Sequence, residues 1–191
     1  MDLVAGSTGN YRRSPAENVT TFRSDKVLTP KRVSAEEYRT RAEAHFAQGS
    51  RYQAQQDVDR AALYYTQAIN EDPTFAPPFY NLGIIYQGKN QLERARNAYT
   101  KALENDPSLI DAKYNLALIQ SSWGDPAGAK QQFEAILRES PDYAGAHLML
   151  ARALGEQAGQ VETARKHFTR FLELAPDDPN APEARRWLLR H

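Results

Sequence analysis

An all-α fold built from repeated pairs of helices is what this sequence predicts, and three observations carry the prediction. The stretch "YNLGIIY" at Tyr80–Tyr86 returns, altered, as "YNLALIQ" at Tyr114–Gln120, 34 residues further on. Four columns of matched residues run through the chain in step: Gly49, Gly83, Ala117 and Ala151; Ala61, Ala95, Ala129 and Ala164; Tyr65, Tyr99, Phe133 and Phe168; Pro73, Pro107, Pro141 and Pro176. Every step is 34 except the last in the latter three columns, which is 35 and marks one residue inserted within "GEQAGQVE" before Ala164. Inside each copy, apolar residues recur at helical spacing, as in Ala95, Ala98, Tyr99, Ala102 and Leu103, and no stretch alternates long enough to argue for a strand.

Taken in order, residues 1–33 have no helical period and carry six bases (Arg12, Arg13, Arg23, Lys26, Lys31, Arg32) against three acids (Asp2, Glu17, Asp25). They are expected to form an extended or disordered basic arm. Ser34 with Glu37 three residues on is a capping-box signature, so a first helix should start near Ala35 and run to about Gln55. Four copies follow within residues 34–178, at about 42–75, 76–109, 110–143 and 144–178. Their inner breaks are polar ("QQDVD", "KNQLE", "WGDPAG", "QAGQVE"), as turns between paired helices require. Residues 179–191 read as a capping helix. Asn180 or Asp178 stands before it, prolines lie in its first turn, and Ala184, Trp187 and Leu188 share one face.

Each column has a physical reason. Gly or Ala in the first and Ala in the second let two helices approach closely. The aromatic four residues after the second column shares its helix face and fills the space between copies. The proline cannot continue a helix and sets a short turn.

At this point the chain resembles the tetratricopeptide repeat family, whose 34-residue helix–turn–helix carries the pattern W-x2-L-G-x2-Y, A-x3-F and P. The copy starting at Ala76 matches through Phe79, Leu82, Gly83, Tyr86, Ala95, Tyr99, Ala102 and Pro107. The copy starting at Ala42 has His45 and Gln48 where a large apolar residue and a leucine are usual, and later copies drift, with Gln120 and Leu154 in the tyrosine column. The resemblance implies a right-handed superhelical α-solenoid, since one such unit cannot bury its apolar face alone. Lys113 and Gln120 thin the apolar lining of the third copy, so its junction is expected to be the softest.

Composition narrows the function classes. Acids and bases balance at 24 each, which leaves no global field for nucleic acid or anionic membrane. Cysteine is absent, excluding disulfides and thiolate chemistry, and no apolar run reaches the length of a membrane helix. The N-terminus lacks a signal-peptide pattern, which points to the cytoplasm, although a processed periplasmic chain would read the same way. No phosphate loop, nucleophile elbow or metal-ligand cluster is present, so neither enzyme activity nor a cofactor, metal or small-molecule substrate is expected. His45 and His147 fall in one repeat column, normally a packing position, three copies apart. Arg165, Lys166, Arg170, Arg185, Arg186 and Arg190 could touch phosphates, but Glu162, Glu173, Asp177, Asp178 and Glu183 are interspersed, so a solvated face is the better reading.

The resemblance also implies a concave surface, formed by the first helices, that receives a segment of a protein partner. Helix geometry places there the residues three before and one after the Gly/Ala column: Phe46, Tyr80, Tyr114 and Leu148, then Ser50, Ile84, Leu118 and Arg152, with Gln53 and Gln87 a turn further. Asn81 and Asn115 lie beside them. An apolar strip of Tyr80, Ile84, Tyr114 and Leu118 suits an apolar or amphipathic segment; curvature that buries these side chains is the competing reading. Family members that hold chaperone tails use a carboxylate clamp of lysines, asparagines and an arginine. Only Asn81 matches it here: Phe46 and Ser50, then Asp111 and Asn115, replace the other ligands. A scaffold or adaptor for a protein or peptide is therefore expected, with self-assembly through the N-terminal arm, giving a homo-oligomer, as the alternative.

Overall fold

Ser34 opens the first helix as a reciprocal cap. Its hydroxyl accepts from the Glu37 N–H at 3.1 Å, and the Glu37 carboxylate accepts from the Ser34 N–H at 2.8 Å. From there the computed structural model, which describes residues 33–191, runs through α1 (Ala35–Ala54), α2 (Val58–Glu71), α3 (Ala76–Gly88), α4 (Leu92–Asn105), α5 (Ile110–Ser122), α6 (Pro126–Glu139), α7 (Ala144–Gly155), α8 (Val161–Leu174) and α9 (Ala181–Arg190). Among the described residues every element is a helix, packed in sequence as an all-α repeat solenoid. The expectations for residues 1–32 lie outside the described residues.

Within the first three pairs the turn is the same device. Gln56, Asn90 and Gly124 take positive φ, and the N–H groups of Asp57, Gln91 and Asp125 donate to the carbonyls of Tyr52, Tyr86 and Gln120 at 2.9, 2.8 and 3.2 Å. This is the Schellman closure, in which a left-handed residue lets the chain satisfy the last helical carbonyls and turn back. In the fourth pair the inserted residue changes the path. Gln157 donates to the Leu154 carbonyl at 3.0 Å, and Gln160 donates to that of Gln157 at 3.1 Å. Between pairs, Asp72 and Asp106 accept from the N–H groups of Thr74 and Ser108 at 2.9 and 3.0 Å and from their hydroxyls, which shapes a tight turn. The next residues to start helices, Phe75, Leu109 and Tyr143, make no side-chain cap bond and are used for packing instead.

The core follows the columns. Ala61, Ala95, Ala129 and Ala164, with Tyr65, Tyr99, Phe133 and Phe168, are all buried. Leu82 packs with Ala61 and Tyr65 of the preceding pair. Gln48, the matching residue of α1, is exposed and polar.

Three positions change together along the chain. Where the first helix carries Gly49 or Gly83, the partner aromatic is tyrosine, and its hydroxyl donates to Gln53 or Gln87 at 2.6 and 2.7 Å. Where the first helix carries Ala117 or Ala151, the aromatic is Phe133 or Phe168, and Ser121 or Gly155 replaces the glutamine. A buried hydroxyl needs an acceptor, so the glutamine appears and disappears with it. The departures in the third pair are matched in the same way. Gln120 donates to Asp125 at 2.7 Å, Lys113 pairs with Glu139, and Gly128 leaves room that a Cβ would take from the Gln120 amide.

At the far end α9 lies on the fourth pair. Ala181 and Ala184 are buried with Leu148, Ala151, Phe168 and Phe171, and the Trp187 ring sits 4.8 Å from that of Phe168.

Candidate binding groove

The residues expected on the concave face divide into three groups. Phe46, Tyr80, Tyr114 and Leu148 are joint residues. The Phe46 ring lies 5.5 Å from Tyr65 of its own pair and 5.4 Å from Phe75 of the next. Tyr114 repeats this with Phe133 at 5.6 Å and Tyr143 at 5.2 Å, and Tyr80 lies 5.8 Å from Tyr99. Leu148 is only 4% exposed, turned into the cluster under α9. These contacts half-bury the three rings and bury Leu148, in line with the competing reading in which curvature covers the strip. The following pair begins with an apolar residue that folds over it, and side chains on a helix lean toward its N-terminus, into that joint.

The second group is tied by polar bonds. Gln53 and Gln87 hold the tyrosine hydroxyls, and Ser50 donates to the Phe46 carbonyl at 3.1 Å. Arg152 donates to Glu183 at 3.0 Å and to Asn180 at 2.9 Å, so it fastens α9 to α7 while staying more than one-third exposed. Its guanidinium holds the Glu183 carboxyl below the usual carboxylate range.

The third group faces outward. Ile84 is 37% exposed, and Leu118 is half-buried against the cluster of the third and fourth pairs. The Tyr80 pKa is pushed up by burial and then by the Asp111 carboxylate, with the nearby Asn115 amide pulling it part of the way back. Burial likewise raises the Tyr65 pKa, opposed by Ser50 and then by Asn81. The Tyr143 hydroxyl donates to Asp111 at 2.7 Å, and burial first, then this carboxylate, raises its pKa. The structure thus brings Tyr80, Ile84, Gln87 and Asn115 together, with Tyr99 and Gly88, around one shallow depression between α3 and α5. It has an apolar centre with amide groups at its edge, and it offers no arginine or lysine.

Three of the six basic residues near the C-terminus are engaged. Arg165 pairs with Glu162, Arg170 with Asp142 and Glu173, and Arg185 donates to the Pro176 carbonyl at 2.7 Å. Sequence reasoning missed one cluster. His147 touches His167, Nδ1 to Nδ1 at 2.9 Å. The signal was present in the repeat register, because His45 and Tyr64 hold the same two columns and their rings also meet, at 6.2 Å. Among the described residues no group of three or more His, Cys, Asp or Glu side chains could hold a metal ion, and no helix is long and apolar enough to cross a membrane.

Models of the tetratricopeptide repeat match residues 42–75, 76–109 and 124–188. The chain belongs to the tetratricopeptide repeat family. No curated protein matches it by sequence. Among solved structures it is similar to pilF of Pseudomonas aeruginosa, at TM-score 0.65 and 19% identity over 82% of this chain and 70% of that one. It is similar to YrrB, described as a TPR protein with an unusual peptide-binding site, at TM-score 0.59 and 19% identity over 82% and 89% of the two chains. It is also similar to the first TPR of Spaghetti (RPAP3) bound to the HSP90 peptide SRMEEVD, at TM-score 0.56 and 20% identity over 60% and 90%. These likenesses show the fold. A repeat scaffold for protein interaction is the class of protein the family defines.

Proposed function

We propose that the chain is a non-enzymatic adaptor that captures an apolar or amphipathic segment of a protein partner along the first helices, centred on Ile84. The observation that carries this reading is the depression between α3 and α5. There an exposed isoleucine is flanked by Asn115 and Gln87, so an apolar side chain can be buried while neighbouring amides bond a peptide backbone. The contact is narrower than the sequence implies, because Phe46, Tyr114 and Leu148 belong to the joints and Arg152 to the cap. A terminal carboxylate finds no cation at this depression, which disfavours a chaperone-tail mode.

The test uses a photo-crosslinking amino acid placed at Ile84 in the full chain, with a control at Leu63, which is exposed on α2. A peptide adduct at residue 84 and none at 63 is the expected outcome. With the partner in hand, Ile84→Glu should weaken binding by roughly 30-fold, the equivalent of about 2 kcal/mol for a central anchor. Folding stability should stay within about 0.5 kcal/mol, since the side chain is exposed. Undiminished binding by that variant would exclude the groove.

A further inference from the structure

The His147–His167 contact is independent of the groove. Its columns are filled by Phe79 with Ala98 in the second pair and by Lys113 with Gln132 in the third; an imidazole pair occurs only in the fourth. The hydrogen bonds assign its protons. His147 Nε2 lies 2.9 Å from the Pro141 carbonyl oxygen. A carbonyl only accepts, so that nitrogen carries a proton, and neutral His147 has its lone pair on Nδ1. The bond across 2.9 Å is then His167 Nδ1–H donating to His147 Nδ1, which leaves His167 Nε2 bare. A chain of two bonds joins α8, α7 and the turn between α6 and α7.

One added proton fits this chain, because it enters at His167 Nε2 and disturbs neither bond. A second has to enter at His147 Nδ1, where the His167 N–H already points. That breaks the bond and leaves two cations ring to ring, with centroids 5.1 Å apart. Glu134 on α6 faces His167 and favours its charge, but its carboxylate is shared with Lys130 at 3.8 Å. We propose that the His147–His167 pair is an acid-released latch that holds α7, α8 and the preceding turn together at neutral pH and lets them loosen when both rings charge.

The sign follows from the surroundings. Burial first, and then His147, hold the His167 pKa below the ordinary histidine value, with Glu134 opposing. A base whose folded pKa is depressed contributes stability that is complete above its unfolded pKa, about 6.5 for histidine, and is lost as pH falls from there through the lower folded value. Stability therefore begins to fall below about pH 6.5 as His167 charges beside His147, the bond itself parts only with the second proton, and the weakening is local to the fourth pair, against which α9 and Trp187 pack.

The experiment compares melting temperatures between pH 7.5 and 5.0. The variant His147→Phe with His167→Ala copies the packing of the second pair, so a working solution for its fold already exists in this chain. A second variant, His167→Gln, keeps an N–H donor toward His147 but cannot take a second charge. The wild type should lose about 2–4 °C more on acidification than either variant, which is the size of shift expected from one such bond in a chain of this length. His45→Gln should retain the wild-type acid sensitivity, because His45 faces Tyr64. In a background carrying Trp123→Phe and His191→Gln, the latter removing the imidazole stacked 4.4 Å from the Trp187 ring, Trp187 fluorescence should change over the same pH window with the histidine pair intact and stay flat in His167→Gln. Parallel wild-type and variant curves would overturn the latch. If the double variant does not fold, the comparison with His167→Gln decides by itself.

Discussion

Gly83→Ala is expected to destabilise the protein by roughly 1–3 kcal/mol, more than a single methyl group usually costs. A Cβ at Gly83 would lie within collision distance of the Tyr99 ring, 2.9 Å from Cζ and closer still to Cδ1 and Cε1. Tyr99 cannot step aside, because it is fully buried and its hydroxyl is tied to Gln87. Gly49 under Tyr65 has the same geometry, with a Cβ 2.6 Å from Cε1. Gly83→Leu should be worse. The third pair shows how an alanine is accommodated: Ala117 is buried beside Phe133, with Ser121 in place of the glutamine. Copying that trio as Gly83→Ala, Gln87→Ser and Tyr99→Phe releases the ring from its tether. It should recover about 1 kcal/mol or more of the loss, a coupling typical of residues in direct contact. Arg190→Ala, at the exposed end of α9, should move stability by no more than about 0.5 kcal/mol. Denaturant midpoints measure all four variants. Strict additivity within the trio, or equal shifts for Gly83→Ala and Arg190→Ala, would mean that the ring is not pinned over the glycine.

The same trio shows why the fold was legible. Four copies of one unit expose each packing position as a column, and a column that holds only Gly and Ala, or only Tyr and Phe, has a steric explanation before any coordinates are known. The site was less legible. A helical wheel gives the direction in which Tyr80 or Tyr114 leaves its own helix, but not what the next pair lays over it. Phe75 and Tyr143 belong to turns, and their approach to Phe46 and Tyr114 depends on how one pair is set against the next. The bonds that tie Arg152 to α9 were illegible for a related reason. Its partners, Asn180 and Glu183, lie in the non-repeating end, where no column gives warning. The histidine pair was legible in principle, since the register that joins His45 to Tyr64 also joins His147 to His167 once the inserted residue is counted.

Removal of residues 179–191 is expected to have the largest effect. Leu148, Phe168 and Phe171 are all buried under Ala181, Ala184 and Trp187. Each large apolar side chain returned to water costs about 1.5–3 kcal/mol, so losing α9 removes an appreciable part of the stability of a domain this size. The damage should concentrate in α7 and α8, seen as lost helicity or, where the uncovered faces of two chains meet, as association. Circular dichroism melts and sedimentation measure the two outcomes. The polar fastening is the weaker element. Arg152 and Glu183 are both more than one-third exposed, so their bidentate pair should contribute no more than about 1 kcal/mol, and less in high salt. Arg152→Ala should therefore lower the melting temperature only slightly, whereas Trp187→Ala, which strips the ring from Phe168 and Gly155, should reproduce much of the truncation. The opposite ranking would make α9 an electrostatic clasp, and a truncated chain that stays monomeric with an unchanged melt would deny it a capping role.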